Sequence, residues 1–421
     1  MENQKLVAQT PPMGWNSWDC YAATVTEQQL LNNAAYMKKH LLAHGWNYIV
    51  CDIQWSEPGA GTGEHEYRPM AELCTDEYGR LIPAVNRFPS SAGGKGFKPI
   101  ADKIHEMGLK FGIHIMRGLP RQAAYARSPV LGTNFTADQI ANPFSVCKWN
   151  SDMYGIDYKK PGAQEYYDSI FKLYAEWEVD FIKVDDICNT NLHKETPYSA
   201  KHEIEMIRKA IDKCGRPIVL SLSPGPAVIE EAWHLKKHAN MWRITDDFWD
   251  NWPLLLDMFR RCEVWQHHVQ PGSWPDCDML PLGHIGIGHK RPRQTNFTKA
   301  EQRTMMNLWC IFRSPLMMGG EMNDNDDWTL SLMTNDDVIS VNQQGSNPRM
   351  LAFRDDHAIW LSDAPGGALN LAMFNLSDKE NTVTASGLPP NMNIRDLWTG
   401  KAVNGLQVKL EPHASVLYRL N

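Results

Sequence analysis

The chain has 421 residues, a formal net charge of −7 at pH 7, and 43% hydrophobic against 22% charged residues. That length exceeds what one hydrophobic core organises, so a large domain with a smaller companion is expected. The composition is that of a soluble globular protein, and the acidic balance offers nucleic acid or an anionic membrane no electrostatic attraction.

No run is long and apolar enough for a membrane span. The opening "MENQKLVAQTPPMGW" lacks a basic head, an apolar middle and a small-residue cleavage site, so a cytoplasmic location is expected. The nine cysteines are scattered and show no CxxC spacing, which leaves no zinc cluster to predict.

Taken in order, short apolar runs alternate with helix-period segments. The runs are "PMGWNSW" (12–18), "NYIVCDIQW" (47–55), "KFGIHIM" (110–116), "DFIKVDD" (180–186), "PIVLSLS" (217–223) and "MWRITDD" (241–247), followed by weaker ones at 273–280 and 313–320. Helices are expected over 26–44, 97–108, 162–177, 199–213, 227–238, 251–264 and 298–310. Thr26 with Gln29 and Thr298 with Glu301 read as capping boxes, and Gly45 and Gly108 sit where helices should stop. Eight strand–helix units predict an α/β fold, a (β/α)8 TIM barrel over 1–344. From 345 to 421, short alternating segments separated by turn residues predict a small C-terminal antiparallel β-sandwich.

Almost every run turns polar at its carboxyl end: Trp18–Asp19, Asp52 with Trp55, His114, Lys183–Asp185–Asp186, Ser221 with Ser223, Arg243 with Asp246–Asp247, and Asp276 with Asp278. An open doubly wound sheet would concentrate such residues at one switch point, whereas a barrel brings all strand ends to one mouth. Side chains alternate along a strand, so Lys183 shares a face with Asp185, and Arg243 shares one with Asp247. Two carboxylates with a cation upstream suit retaining glycoside hydrolysis. Lys183 would keep Asp185 ionised as nucleophile, and apolar neighbours would raise Asp247 toward the working pH as acid and then base. Tryptophans at strand ends, among them Trp18, Trp55 and Trp249, offer flat faces to sugar C–H groups. "GHIGIGHK" (283–290) lacks the spacing of a phosphate loop, and neither His267–His268 nor "DCD" (276–278) completes a metal ligand set.

These residues resemble glycoside hydrolase family 27, the α-galactosidases and α-N-acetylgalactosaminidases. "PPMGWNSW", "FIKVDD", "WRITDDFWDNW", "WPDCDML" and "DVISVNQ" carry the resemblance, which spans nearly the whole chain. It implies an enzyme without cofactor or metal that removes terminal α-galactosyl residues from an oligosaccharide or glycoconjugate. Asp185 would be the nucleophile and Asp247 the acid/base, with Trp18, Asp52, Lys183, Arg243 and Asp278 on sugar-binding positions. Cys147 and Cys188 fall near the positions of a family disulfide, with altered spacing, and their pairing stays open.

The departures bear on specificity. Ile53 stands where the family has a second aspartate, His114 where it has a tyrosine, and Ser223 near a glutamate position that is serine in the N-acetylgalactosaminidases. N-acetylgalactosamine and β-L-arabinopyranose are therefore alternative sugars. A catalytically silent carbohydrate-binding barrel is the alternative of another class.

Overall fold

The computed structural model describes residues 6–61, 68, 70–190, 195–389 and 392–421, so the first five residues of the opening stretch lie outside it. Eight parallel strands, β1 (Met13–Asn16), β2 (Tyr48–Cys51), β3 (Lys110–Met116), β4 (Phe181–Asp185), β5 (Val219–Leu222), β6 (Met241–Arg243), β7 (Trp274–Asp276) and β8 (Leu316–Met318), form one sheet in the order β7-β6-β5-β4-β3-β2-β1-β8. A parallel bridge between Leu280 and Met318 joins its two ends and closes the barrel. Around it run α1 (Glu27–His40), α2 (Lys98–Glu106), α3 (Ala163–Glu176), α4 (Lys201–Lys213), α5 (Ala232–His238), α6 (Trp252–Trp265) and α7 (Lys299–Phe312).

Local chemistry sets the helix ends. Thr26 and Thr298 close reciprocal capping boxes with Gln29 and Glu301, satisfying amide groups that the first turn leaves open. Gly45 and Gly108 take φ of 92° and 80° just beyond helix ends, a conformation that glycine adopts without strain.

Strand parity divides two cores. Outward residues such as Ile49, Ile113, Ile182, Leu220 and Trp242 join the helices in the main core. Inward residues Tyr48, Val50, Phe181, Val219, Met241, Trp274 and Met317 form a separate apolar plug at the barrel floor. Gly14 and Gly112 make room for it: a Cβ on Gly14 would stand 2.6 Å from Tyr48 Cβ, and one on Gly112 2.9 Å from Phe181 Cβ. Continuing the inward parity upward places Asp52, Lys183, Asp185 and Arg243 above this plug.

From Ser346 the chain is antiparallel: β9 (Ser346–Phe353), β10 (His357–Asp363), β11 (Leu369–Asn375), β12 (Asn381–Thr384), β13 (Ile394–Asp396), β14 (Ala402–Val403), β15 (Gln407–Leu410) and β16 (Ser415–Leu420). A sheet ordered β9-β10-β11-β16-β13-β14 packs Ile359, Leu371, Met373 and Leu420 against Val383 and Leu410 of the β12–β15 pair, giving the expected sandwich. Its other face meets the barrel: the Phe259 and Phe374 rings lie 4.9 Å apart, and Asn307 donates to Ser415 Oγ at 2.8 Å. Among the described residues, no helix is long and apolar enough to cross a membrane.

Candidate active site

A cavity of about 280 Å³ opens at the carboxyl ends of the strands, and Asp185 and Asp247 both line it, with Trp18, Asp52, Lys183, Arg243 and Asp278. Seven of the ten candidate residues thus meet in one place. Among the described residues, none from the C-terminal sandwich contributes to its wall.

Asp185 ends β4, and its inward parity brings it into the cavity, while Asp186, at φ 54°, turns away and pairs with Arg117 at 2.9 Å. His114 Nε2 lies 3.0 Å from Asp185 Oδ2. An ionised carboxylate only accepts, so the imidazole is the donor. Burial alone would push the Asp185 carboxyl up, but the His114 hydrogen bond and the Lys183 ammonium outweigh it and hold its pKa below the ordinary carboxylate value. Lys183 donates to Asp52 Oδ2 at 3.0 Å. Burial works against its charge, yet Asp52 and Asp185 overcome that and raise its pKa. Asp52 is fixed further by Asn16 Nδ2 at 2.7 Å and by the Ile53 amide at 2.8 Å; against the upward push of burial, Lys183 holds its pKa far below normal.

Arg243, at the end of β6, is the second organiser. It reaches Asp278 Oδ2 at 2.7 Å and Asp247 Oδ1 at 3.2 Å. Burial opposes the charge, but Asp278 and Asp247 raise the guanidinium pKa. Asp278 also accepts from the Phe248 and Met279 amides, each at 2.8 Å, so both oxygens of its carboxylate are fixed. Strand alternation does not carry Asp247 to the cavity: β6 ends at Arg243, and Asp247 arrives on the following loop. Nor does apolar burial enclose Asp247, whose side chain is 58% exposed at the mouth.

Three expected contact residues lie elsewhere. Trp55 is buried in the main core, packs at 5.1 Å from Phe97 and donates to His114 O at 2.6 Å, because the chain leaves the cavity wall after Ile53. His114 is only 1% exposed and outside the cavity lining, and it holds Asp185 from behind. Ser223 is buried beyond the end of β5, and Pro224 takes its place in the wall.

Other wall residues carry no signal in the strand pattern. Trp149 comes from the long β3–β4 connection and Trp249 from the loop after β6; with Trp18 they rim the mouth. The segment 283–290 places His289 edge-on to Trp18 at 5.0 Å and to Trp249 at 5.4 Å, bracing both. Asp19 lines the wall; burial first, then Asp278 and Asp247, push its carboxyl well above the ordinary value against the pull of Lys183. Cys147 and Cys188 are both free thiols in the structure.

The arrangement can bind a polyhydroxylated ring. Fixed carboxylates and cations meet its hydroxyls, indoles cover its apolar faces, and an ionised carboxylate lies deep while a second carboxyl group stands at the exit.

Residues 154–344 match the family described as alpha galactosidase A, and residues 354–420 match the alpha galactosidase C-terminal beta sandwich domain. The crystal structure of a GH27 β-L-arabinopyranosidase from Geobacillus stearothermophilus is 55% identical, covers 100% of this chain and 98% of that one, and superposes with a TM-score of 0.96. Alpha-galactosidases from Cyamopsis tetragonoloba and Coffea arabica are 28% and 29% identical; each match covers 98% of this chain, with 87% and 93% of the respective relative.

Proposed function

Since the chain belongs to glycoside hydrolase family 27 and is a glycosidase, we propose that it removes terminal sugars of galacto configuration with retention, and that β-L-arabinopyranosides are its preferred substrates. Asp185 attacks the anomeric carbon while Asp247 protonates the departing oxygen; Asp247 then takes a proton from the water that frees the sugar from Asp185. The positions favour these roles. Asp185 is deep and kept ionised by Lys183 and His114, whereas Asp247 stands where the aglycone must leave.

The observation that carries the sugar preference is Ile53 in the cavity wall beside Asp52. β-L-Arabinopyranose matches α-D-galactopyranose in its ring configuration and lacks the hydroxymethyl group. Burying that hydroxyl against an isoleucine leaves it without a partner, a loss of about 1–3 kcal/mol. The 55% identical arabinopyranosidase supports the same choice. Ser223, whose hydroxyl would favour N-acetylgalactosamine, is not in the wall.

The test compares kcat/KM on nitrophenyl β-L-arabinopyranoside, α-D-galactopyranoside and N-acetyl-α-D-galactosaminide. The first is expected to lead, and a tenfold advantage for either of the others would reject the preference. Ile53→Asp is expected to move the galactoside-to-arabinoside ratio toward galactose by about 10- to 100-fold, the worth of one hydrogen bond to a charged group.

Removing the imidazole tests the support of Asp185. Its depressed pKa keeps the carboxylate ionised as pH falls, and turnover is lost only as pH drops through that low value. His114→Phe raises the pKa, so the acid limb of the kcat/KM profile should begin at higher pH, with activity at neutral pH down about tenfold. An unmoved acid limb would deny His114 this part.

A further inference from the structure

On the outer helical layer, α4 and α5 bring two imidazoles and a carboxylate together outside the catalytic cavity. His234 and His238 are four residues apart on α5 and share one face, with ring centroids 4.3 Å apart. Glu205 comes from α4, and its Oε1 lies 3.1 Å from His234 Nε2. One ligand atom from each of the three residues falls within 4.8 Å of the others. We propose that Glu205, His234 and His238 form a binding site for a divalent transition-metal ion, Zn²⁺ being the best fit to a set of imidazole and carboxylate donors.

Two features distinguish this cluster from an ordinary hydrogen-bonded contact between helices. Donors on a tetrahedral zinc with bonds of 2.0–2.1 Å stand about 3.3 Å apart, so the Glu205–His234 separation needs to open by only a few tenths of an ångström. Both of these residues also have the outer partners that metal ligands require. The Tyr198 hydroxyl is 2.9 Å from His234 Nδ1, and His202 Nδ1 is 2.9 Å from Glu205 Oε2. A hydroxyl both donates and accepts, so Tyr198 can take the Nδ1–H when the metal occupies Nε2. The side chain of Glu205 is 40% exposed, which gives an ion a path from solvent and leaves room for water as a fourth ligand.

Among the described residues, a second such cluster, Asp102 with His105 and Glu178, is already paired internally. Its acceptors are committed to Lys98, and His105 Nε2 is 2.7 Å from Asp180.

The experiment titrates the chelator-stripped full chain with Co²⁺, followed by absorption in the visible d–d region, and with Zn²⁺ by calorimetry. One equivalent should bind, and Zn²⁺ should displace Co²⁺. His238→Ala and Glu205→Gln should each weaken binding by about 100-fold or more, and Tyr198→Phe by about tenfold. Hydrolytic activity should be unchanged in His238→Ala and after chelation. Failure of the wild-type chain to bind either ion saturably would overturn the proposal, as would equal affinity in whichever of the ligand variants folds.

Discussion

Asp185→Ala is expected to lower kcat on an aryl β-L-arabinopyranoside by about 10⁴-fold or more, the scale seen when a covalent nucleophile is deleted. Asp185 is buried, where a carboxylate ordinarily favours protonation, and yet its pKa lies below the ordinary value. The structure maintains that state with a buried lysine and a buried histidine, which keep the carboxylate ready to attack. A smaller variant, Asp185→Gly, leaves space where the carboxylate stood, and azide at high concentration should restore turnover from that side. The product would be a glycosyl azide of inverted configuration, identifiable by its anomeric coupling in NMR. Wild-type enzyme should instead release, as the first-formed anomer, the sugar of unchanged configuration. Release of the opposite anomer would mean direct displacement by water and would remove Asp185 from the nucleophile role.

Asp247→Ala should separate its two duties by leaving group. With an alkyl aglycone, which departs only when protonated, kcat/KM should fall by about 10³–10⁴-fold. With a dinitrophenyl aglycone, which leaves unassisted, the first step should survive and the sugar–Asp185 ester should accumulate as a burst. Azide attacks that ester without needing a base, so it should restore turnover here too, now with retained configuration. The two variants therefore give opposite azide products. If both gave the same one, the assignment of roles would be wrong. The exposure of Asp247 fits a group that exchanges protons with arriving water, and Arg243 holds it at 3.2 Å at the mouth of the cavity.

The barrel was readable because parallel strands buried on both faces produce continuous apolar runs with charges only at their ends, and the helix caps follow from side-chain chemistry within four residues. The separation of Asp185 from Asp186 was readable for the same reason: β4 stays regular through Asp185, so period two holds to the last residue. The same rule failed on β6, which ends four residues before Asp247; the conclusion that Asp247 faces the cavity held although the reason did not. His114 and Trp55 show a different limit. A polar or aromatic residue at a strand end can face the ligand or support something that does, and the spacing along the chain is identical in the two cases. Trp149 and Trp249 sit on connections without periodicity, where only tertiary packing, including His289 between Trp18 and Trp249, decides which indole reaches the mouth.

The apolar floor formed by Tyr48, Phe181, Trp274 and their neighbours reaches beyond packing. It seals the lower end of the barrel, so counter-ions approach Lys183, Arg243 and the carboxylates around them only from above. When a sugar fills that approach, dissolved salt can no longer screen these groups, and their mutual attraction operates at the strength of a dry interior just while bonds are changing.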